Sequence, residues 1–146
     1  VSDTLRPARL GAGRWLASLA ATGVAFGALD ALWLGVLAKE KYASSFGSLM
    51  ADPVNVPAAA AFYGIYTVGL THFATAPGVA SGSVARAAGQ GAALGLVAYA
   101  AYDLTSLAVI EGFPADVVPL DLAWGAVASG VAAAVATAVL RRRSDR

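Results

Sequence analysis

Four long apolar runs, each closed by a short polar or turn-forming stretch, set the plan of this chain. The first extends from Arg14 to about Ala38 and is interrupted only by Ser18, Thr22 and Asp30. At about 24 residues it would make about 36 Å of helix, enough to cross a hydrocarbon core of about 30 Å. Pro57 opens the second run, which continues to Pro77; a proline in the first helical turn is tolerated because its missing N–H would be unpaired there. The third covers 87–110 and the fourth 117–140, where Arg141-Arg142-Arg143 stops it. Before them, 1–13 is polar and carries Pro7, Gly11 and Gly13; between them, 39–56 mixes charges with Pro53 and Asn55, 78–86 is small and flexible, and 111–116 is a tight Gly-Pro turn. All three inter-run stretches are expected as loops or turns. The pattern predicts an all-α integral membrane four-helix bundle, a single transmembrane domain over 1–146 with spans at about 14–38, 57–77, 87–110 and 117–140.

A basic start before an apolar stretch also fits a cleaved signal peptide, and a first residue of Val fits a processed terminus or a non-ATG start. Signal-peptide cores run about 7–15 residues, so the longer first run is expected to be retained as a span. Composition points the same way. Of 146 residues 58% are hydrophobic and 13% charged, where a soluble domain carries about 25% charged residues; mean hydropathy is +0.67. A net charge of +1 and the lack of a basic, aromatic-lined stripe speak against nucleic acid. The absence of cysteine excludes disulfides and thiolate chemistry, and a single histidine, His72, excludes a multi-histidine metal site within one chain. No metal site is read.

Short cytoplasmic loops collect Lys and Arg. Arg6, Arg9, Arg14, Arg86, Arg141, Arg142, Arg143 and Arg146 fall on one side of the four-span plan, Lys39 and Lys41 on the other. Both termini are therefore expected in the cytoplasm. Gly23-xxx-Gly27 and Gly91-xxx-Gly95 would let helix backbones approach closely, either inside the bundle or at a homodimer face.

The polar positions inside the runs carry the chemistry. Counting at about 1.5 Å per residue puts Asp30, Asp103 and Asp121 within about 6–12 Å of the outer interface. Tyr63 and Tyr66 belong to the same layer. Tyr99, Asp103 and Ser106 share a helix face by their i, i+4, i+7 spacing, with Tyr102 and Thr105 beside them. Asp30 and Asp121 each have a tryptophan three residues on, Trp33 and Trp124. No Lys, Arg or His within the runs matches these acids at their depth, and His72 lies in the opposite half. Carboxylates in lipid are costly and mark sites, so this group is expected to share protons or to bind a cation or cationic ligand. Structural roles compete with that reading. Asp121 could cap the fourth helix, Asp103 could make an interhelix hydrogen bond, Asp30 could pair with a tyrosine or Thr105, and the tyrosines and tryptophans could be interfacial anchors.

At these residues a family likeness enters. Asp30-x-x-Trp33-Leu34-Gly35, Ala51-Asp52-Pro53, Pro57-Ala58-Ala59-Ala60 with Phe62-Tyr63 and Tyr66, Tyr99-x-x-Tyr102-Asp103-Leu104-Thr105 and Asp121-Leu122-Ala123-Trp124-Gly125 together resemble the bacterial membrane protein family catalogued as domain of unknown function 2177. Ser106 stands where that family tends to have Asn, and Phe113 where it tends to have Trp. The resemblance implies a four-helix, multi-pass protein of the bacterial inner membrane and brings no activity or cofactor with it. Three functions are compatible with the residues: an accessory or scaffold subunit whose acids specify helix pairing; a small proton, cation or small-molecule transport protein using the acid cluster; and a membrane enzyme acting on a lipid or isoprenoid. The expected partners are the lipid bilayer and a second copy or another membrane protein.

Overall fold

A computed structural model describes residues 10–144, with side chains to Arg141. Arg6, Arg9, Pro7 and Arg146, on which part of the orientation and terminus reading rests, lie outside the described residues, as do the side chains of Arg142 and Arg143. Among the described residues the chain is helical throughout, without strands.

Helix α1 (Ala12–Leu32) meets no breaker and runs into a π turn at Trp33–Leu37. There the N–H of Ala38 reaches back to the Trp33 carbonyl at 2.8 Å. The stretch expected as a loop from 39 is instead a second helix, α2 (Lys39–Phe46). It has no Gly or Pro before Gly47, and Tyr42 and Phe46 stack one turn apart with centroids at 6.0 Å. Gly47, at φ +49°, ends it in a conformation that favours glycine.

Asn55 caps α3 (Val56–Leu70), its side chain accepting from the Ala58 N–H at 3.1 Å. Helicity continues through a π turn (Thr71–Thr75) into α4 (Ala76–Ser81), closed by Gly82. Ser83 caps α5 (Val84–Val109) through the Arg86 N–H at 3.1 Å, and a turn around Gly112 leads to α6 (Val118–Ser144). Three helices, Ala12–Leu37, Val84–Val109 and Val118–Arg141, are long and apolar enough to cross a membrane. The run 56–81 is of similar length, but Tyr63, Tyr66, Thr71, His72 and Thr75 dilute its hydropathy.

Helices α5 and α6 are antiparallel and meet backbone to backbone. A Cβ on Gly91 would lie 2.6 Å from the Ser129 carbonyl oxygen, and one on Gly95 would run into the Gly125 carbonyl. The small-residue spacing of α5 is thus used within the chain. Helix α1 packs across α6, and α5 touches the 71–75 turn rather than the length of α3. Gly78 sits where a Cβ would be 2.6 Å from that of Ala87.

Polarity is reversed relative to a water-soluble bundle. Val24 (75% exposed), Ile65 (76%) and Val109 (80%) face outward, while Ser18, Thr22, Thr71, Thr75, Ser129 and Thr137 are fully buried beside Phe26 and Leu70. Some interior hydroxyls pair across helices, Thr22 with Thr75 at 2.8 Å and Tyr66 with Ser129 at 2.6 Å; Ser18 donates to the Arg14 carbonyl of its own helix, and Thr71 and Thr137 have no partner among the described residues. Apolar solvent outside and hydrogen bonds inside are what lipid demands of a bundle.

Candidate functional site: an acidic, aromatic cavity

On α1, Ser18, Thr22, Phe26 and Asp30 follow one another at four-residue intervals and all point inward. Asp30 is therefore delivered to the interior by the same stripe that builds the core. On α6, Asp121 occupies the first turn and Trp124 follows one turn on. These helices cross so that the two acids share one end of the bundle.

Both Asp30 oxygens are occupied. The Tyr63 hydroxyl donates to Oδ2, and the Trp124 indole N–H donates to Oδ1 at 3.1 Å. Asp121 accepts from the Tyr42 hydroxyl, which in turn accepts from the Trp33 indole N–H at 3.2 Å. The two indoles stack, with centroids 4.3 Å apart and planes 5° from parallel. These residues surround a cavity of about 390 Å³. Tyr99 and Tyr102 of α5, with Phe62 of α3, close its other wall. No Lys, Arg or His stands among the residues that line it.

Not all of the expected cluster converges. Asp103 is fully buried yet is not a wall of this cavity, and neither of its oxygens has a hydrogen-bond partner among the described residues. The α5–α6 register carries it to the level of the turn into α6. Tyr66 lies one layer deeper, against Phe26 at 4.9 Å and hydrogen-bonded to Ser129. Ser106 is buried farther along α5, and Thr105 is exposed, its hydroxyl donating to the Ala101 carbonyl of its own helix. Tyr102, 60% exposed, stands at the mouth, edge-on to Phe113. Asp30 thus pairs with Tyr63 and Trp124 rather than Thr105, and the carboxylate of Asp121 takes a tyrosine hydroxyl rather than capping backbone N–H groups.

The apolar walls Leu34, Ala59, Phe62 and Ala98 were not singled out as site residues, and Tyr42 is the polar wall residue that sequence reasoning missed. It sits on α2, and the signal available was the Gly- and Pro-free spacing of Tyr42 and Phe46. Outside the cavity, Lys41 forms an ion pair with Asp116 in the turn before α6, and Ser45 donates to the same oxygen at 2.9 Å. The hydrogen bond from Lys41, then that from Ser45, holds the Asp116 carboxyl below its ordinary range. Together they hold α2 over the mouth.

Among the described residues no three His, Cys, Asp or Glu side chains gather as a metal centre would require. The cavity offers instead two carboxylates and several aromatic faces, the surroundings in which an organic cation is held.

The family model described as Predicted membrane protein (DUF2177) matches residues 15–138. The chain belongs to this family. The matched stretch of this DUF2177 chain contains both acids, both tryptophans and every wall of the cavity. No curated protein and no solved structure matches it.

Proposed function

We propose that this DUF2177 protein spans the bacterial inner membrane four times, with both termini cytoplasmic, and binds an organic cation in the cavity between Asp30 and Asp121. The run 56–81, continuous through its π turn, serves as the second span. Arg14, Arg86 and Arg141 lie at one end of the bundle and Lys39 and Lys41 at the other, which supports the orientation.

The observation that carries the binding reading is a pair of buried carboxylates inside an aromatic cavity whose walls bring no basic side chain. In a low-dielectric interior two such charges repel, and a cation between them relieves that repulsion while gaining from the indole and phenol faces. Ca²⁺ and Mg²⁺ take about six or more oxygens. Here the aromatic walls have few to give, so an alkylammonium fits better than a bare metal ion.

The test is titration of the purified full chain, carrying Trp15→Phe so that fluorescence reports Trp33 and Trp124, in nanodiscs with tetramethylammonium. A saturable change that Asp30→Asn removes is the expected result. No change in the parent protein at millimolar ligand overturns the reading.

A second reading, an accessory subunit in which the acids only lock helices together, draws on one observation: both oxygens of Asp30 are already hydrogen-bonded. It predicts lower stability for Asp30→Asn with no saturable ligand response in the parent.

A further inference from the structure

Tyr63 is a wall of the cation cavity and of a second space beside it. This second space is a groove of about 650 Å³ between α1 and α3, whose other walls include Leu19, Gly23, Gly27, Gly64 and Val68. We infer that the ligand is an amphiphile, its cationic head between Asp30 and Asp121 and a single alkyl chain lying down this groove. The inference rests on the cation reading of the cavity and adds the class of molecule that carries the charge.

Two of the three glycines of the groove behave differently from those of α5 and α6; the third, Gly23, would bring a Cβ to 3.2 Å from the Thr67 methyl, so α1 and α3 touch there. Gly91, Gly95 and Gly125 are filled by the facing helix, so packing within the chain explains them. At Gly27 and Gly64 an added Cβ would meet nothing within 4 Å among the described residues. Two helices that pack poorly along a glycine-floored seam leave a slot open to the lipid. From Leu19 to Ala31 the slot is about 18 Å long at 1.5 Å per residue, comparable to one leaflet of a hydrocarbon core of about 30 Å.

Charge decides between occupants. A second copy's helix would fill the groove but would leave the two acids beyond Tyr63 unmatched. A lipid with an anionic head would bring like charge to them. A cationic head on a chain satisfies both the acids and the adjoining apolar groove, the two spaces sharing Tyr63 as a wall. The lining agrees: apart from Thr67 and the Tyr63 hydroxyl, which is turned to Asp30, the groove is apolar. In lipid the chain gains little from the hydrophobic effect, since the bilayer is as apolar as the groove. The groove therefore acts by directing the molecule, with the affinity coming from the head.

The experiment uses a tetradecyltrimethylammonium probe with a photoreactive diazirine at mid-chain, added to the full chain in nanodiscs and mapped by mass spectrometry. A chain-matched alkyl sulfate serves as control. Crosslinks concentrated on 19–31 and 64–68, competed by excess tetramethylammonium, are expected for the cationic probe alone. Gly27→Leu, which fills the slot and leaves the cavity walls untouched, should move the crosslinks away while preserving the tetramethylammonium fluorescence response. Gly64→Leu provides the same test should Gly27→Leu fail to fold. Crosslinks spread round the perimeter as with the sulfate overturn the inference while the cation site stands, provided tetramethylammonium still binds. If tetramethylammonium itself gives no response, the cation site fails and this inference falls with it. If Gly27→Leu changes the oligomeric state without moving crosslinks, the groove belongs to a second copy and the inference is overturned.

Discussion

Trp33 and Trp124 stack face to face and exchange acids. Trp33, three residues after Asp30 and at the start of the π turn that continues α1, sends its N–H to the Tyr42 hydroxyl at 3.2 Å, which passes the link on to Asp121. Trp124, three residues after Asp121, sends its own to Asp30 at 3.1 Å. Each Asp-x-x-Trp therefore serves the other helix's carboxylate, and the stacked rings, 4.3 Å apart, join the two halves. An aromatic pair of this kind is worth about 0.5–1.5 kcal/mol beyond its buried area.

Trp124→Phe separates the hydrogen bond from the stack, because it keeps a ring against Trp33 and removes the donor to Asp30. The loss should be about 1–3 kcal/mol, the cost of leaving a buried acceptor unpaired. Thermal unfolding in detergent checks it. Trp33→Phe should cost less, since its acceptor, the Tyr42 hydroxyl, keeps its bond to Asp121.

Asp103 should respond in the opposite sense from Asp30. Its two buried oxygens have no partner among the described residues, so Asp103→Leu removes an uncompensated polar group and should leave stability equal or higher, by up to about 3 kcal/mol. Asp30→Leu strands the donors of Tyr63 and Trp124 and should destabilise. Parallel melting curves of the two variants decide the matter.

Gly95→Ala and Gly125→Ala test the α5–α6 contact. The new methyl in the first meets the Gly125 carbonyl, and in the second the Tyr99 ring. Overpacking of this kind costs about 1–3 kcal/mol or more. Gly27→Ala, facing open space, should be near neutral in the same unfolding assay.

Acid should loosen α2. Asp116 lies in a turn outside the apolar helices, and Lys41 foremost, then Ser45, lower its carboxyl from the ordinary value of 3.8. A carboxyl lowered on folding contributes stability above its unfolded value and loses it as pH falls through the folded one. The tie is intact at neutral pH and is released below about pH 4. Hydrogen exchange of residues 39–46 should accelerate over that range. In Lys41→Met it should already be faster at pH 7, and the difference should shrink in high salt because the pair is exposed.

Much of this was legible in the residues. The apolar runs and the scarcity of charge announce the membrane-crossing helices, and the repeated Asp-x-x-Trp marks the two acids that meet. Depth along a helix, however, is a one-dimensional coordinate. Asp103 shares a helix face with Tyr99, but the glycine contact of α5 with α6 fixes a register that carries it one turn past the cavity, to the level of the turn into α6. Thr105, two residues later and so about 200° round the helix at 3.6 residues per turn, faces out. Tyr42 was hidden for another reason. Its neighbours Lys39, Glu40 and Lys41 make the segment look like a solvated loop, whereas those charges lie on the outer side of a short helix whose aromatic side covers the cavity mouth.

The glycine seam between α5 and α6 also determines what can move. Two helices fastened main chain to main chain make a fixed reference for the rest of the molecule. Helix α3 has no such seam: the Tyr63 hydroxyl ties it to Asp30 of α1, and Tyr66 ties it to Ser129 of α6. Its place in the bundle therefore depends on two phenols, where that of α5 depends on backbone contact.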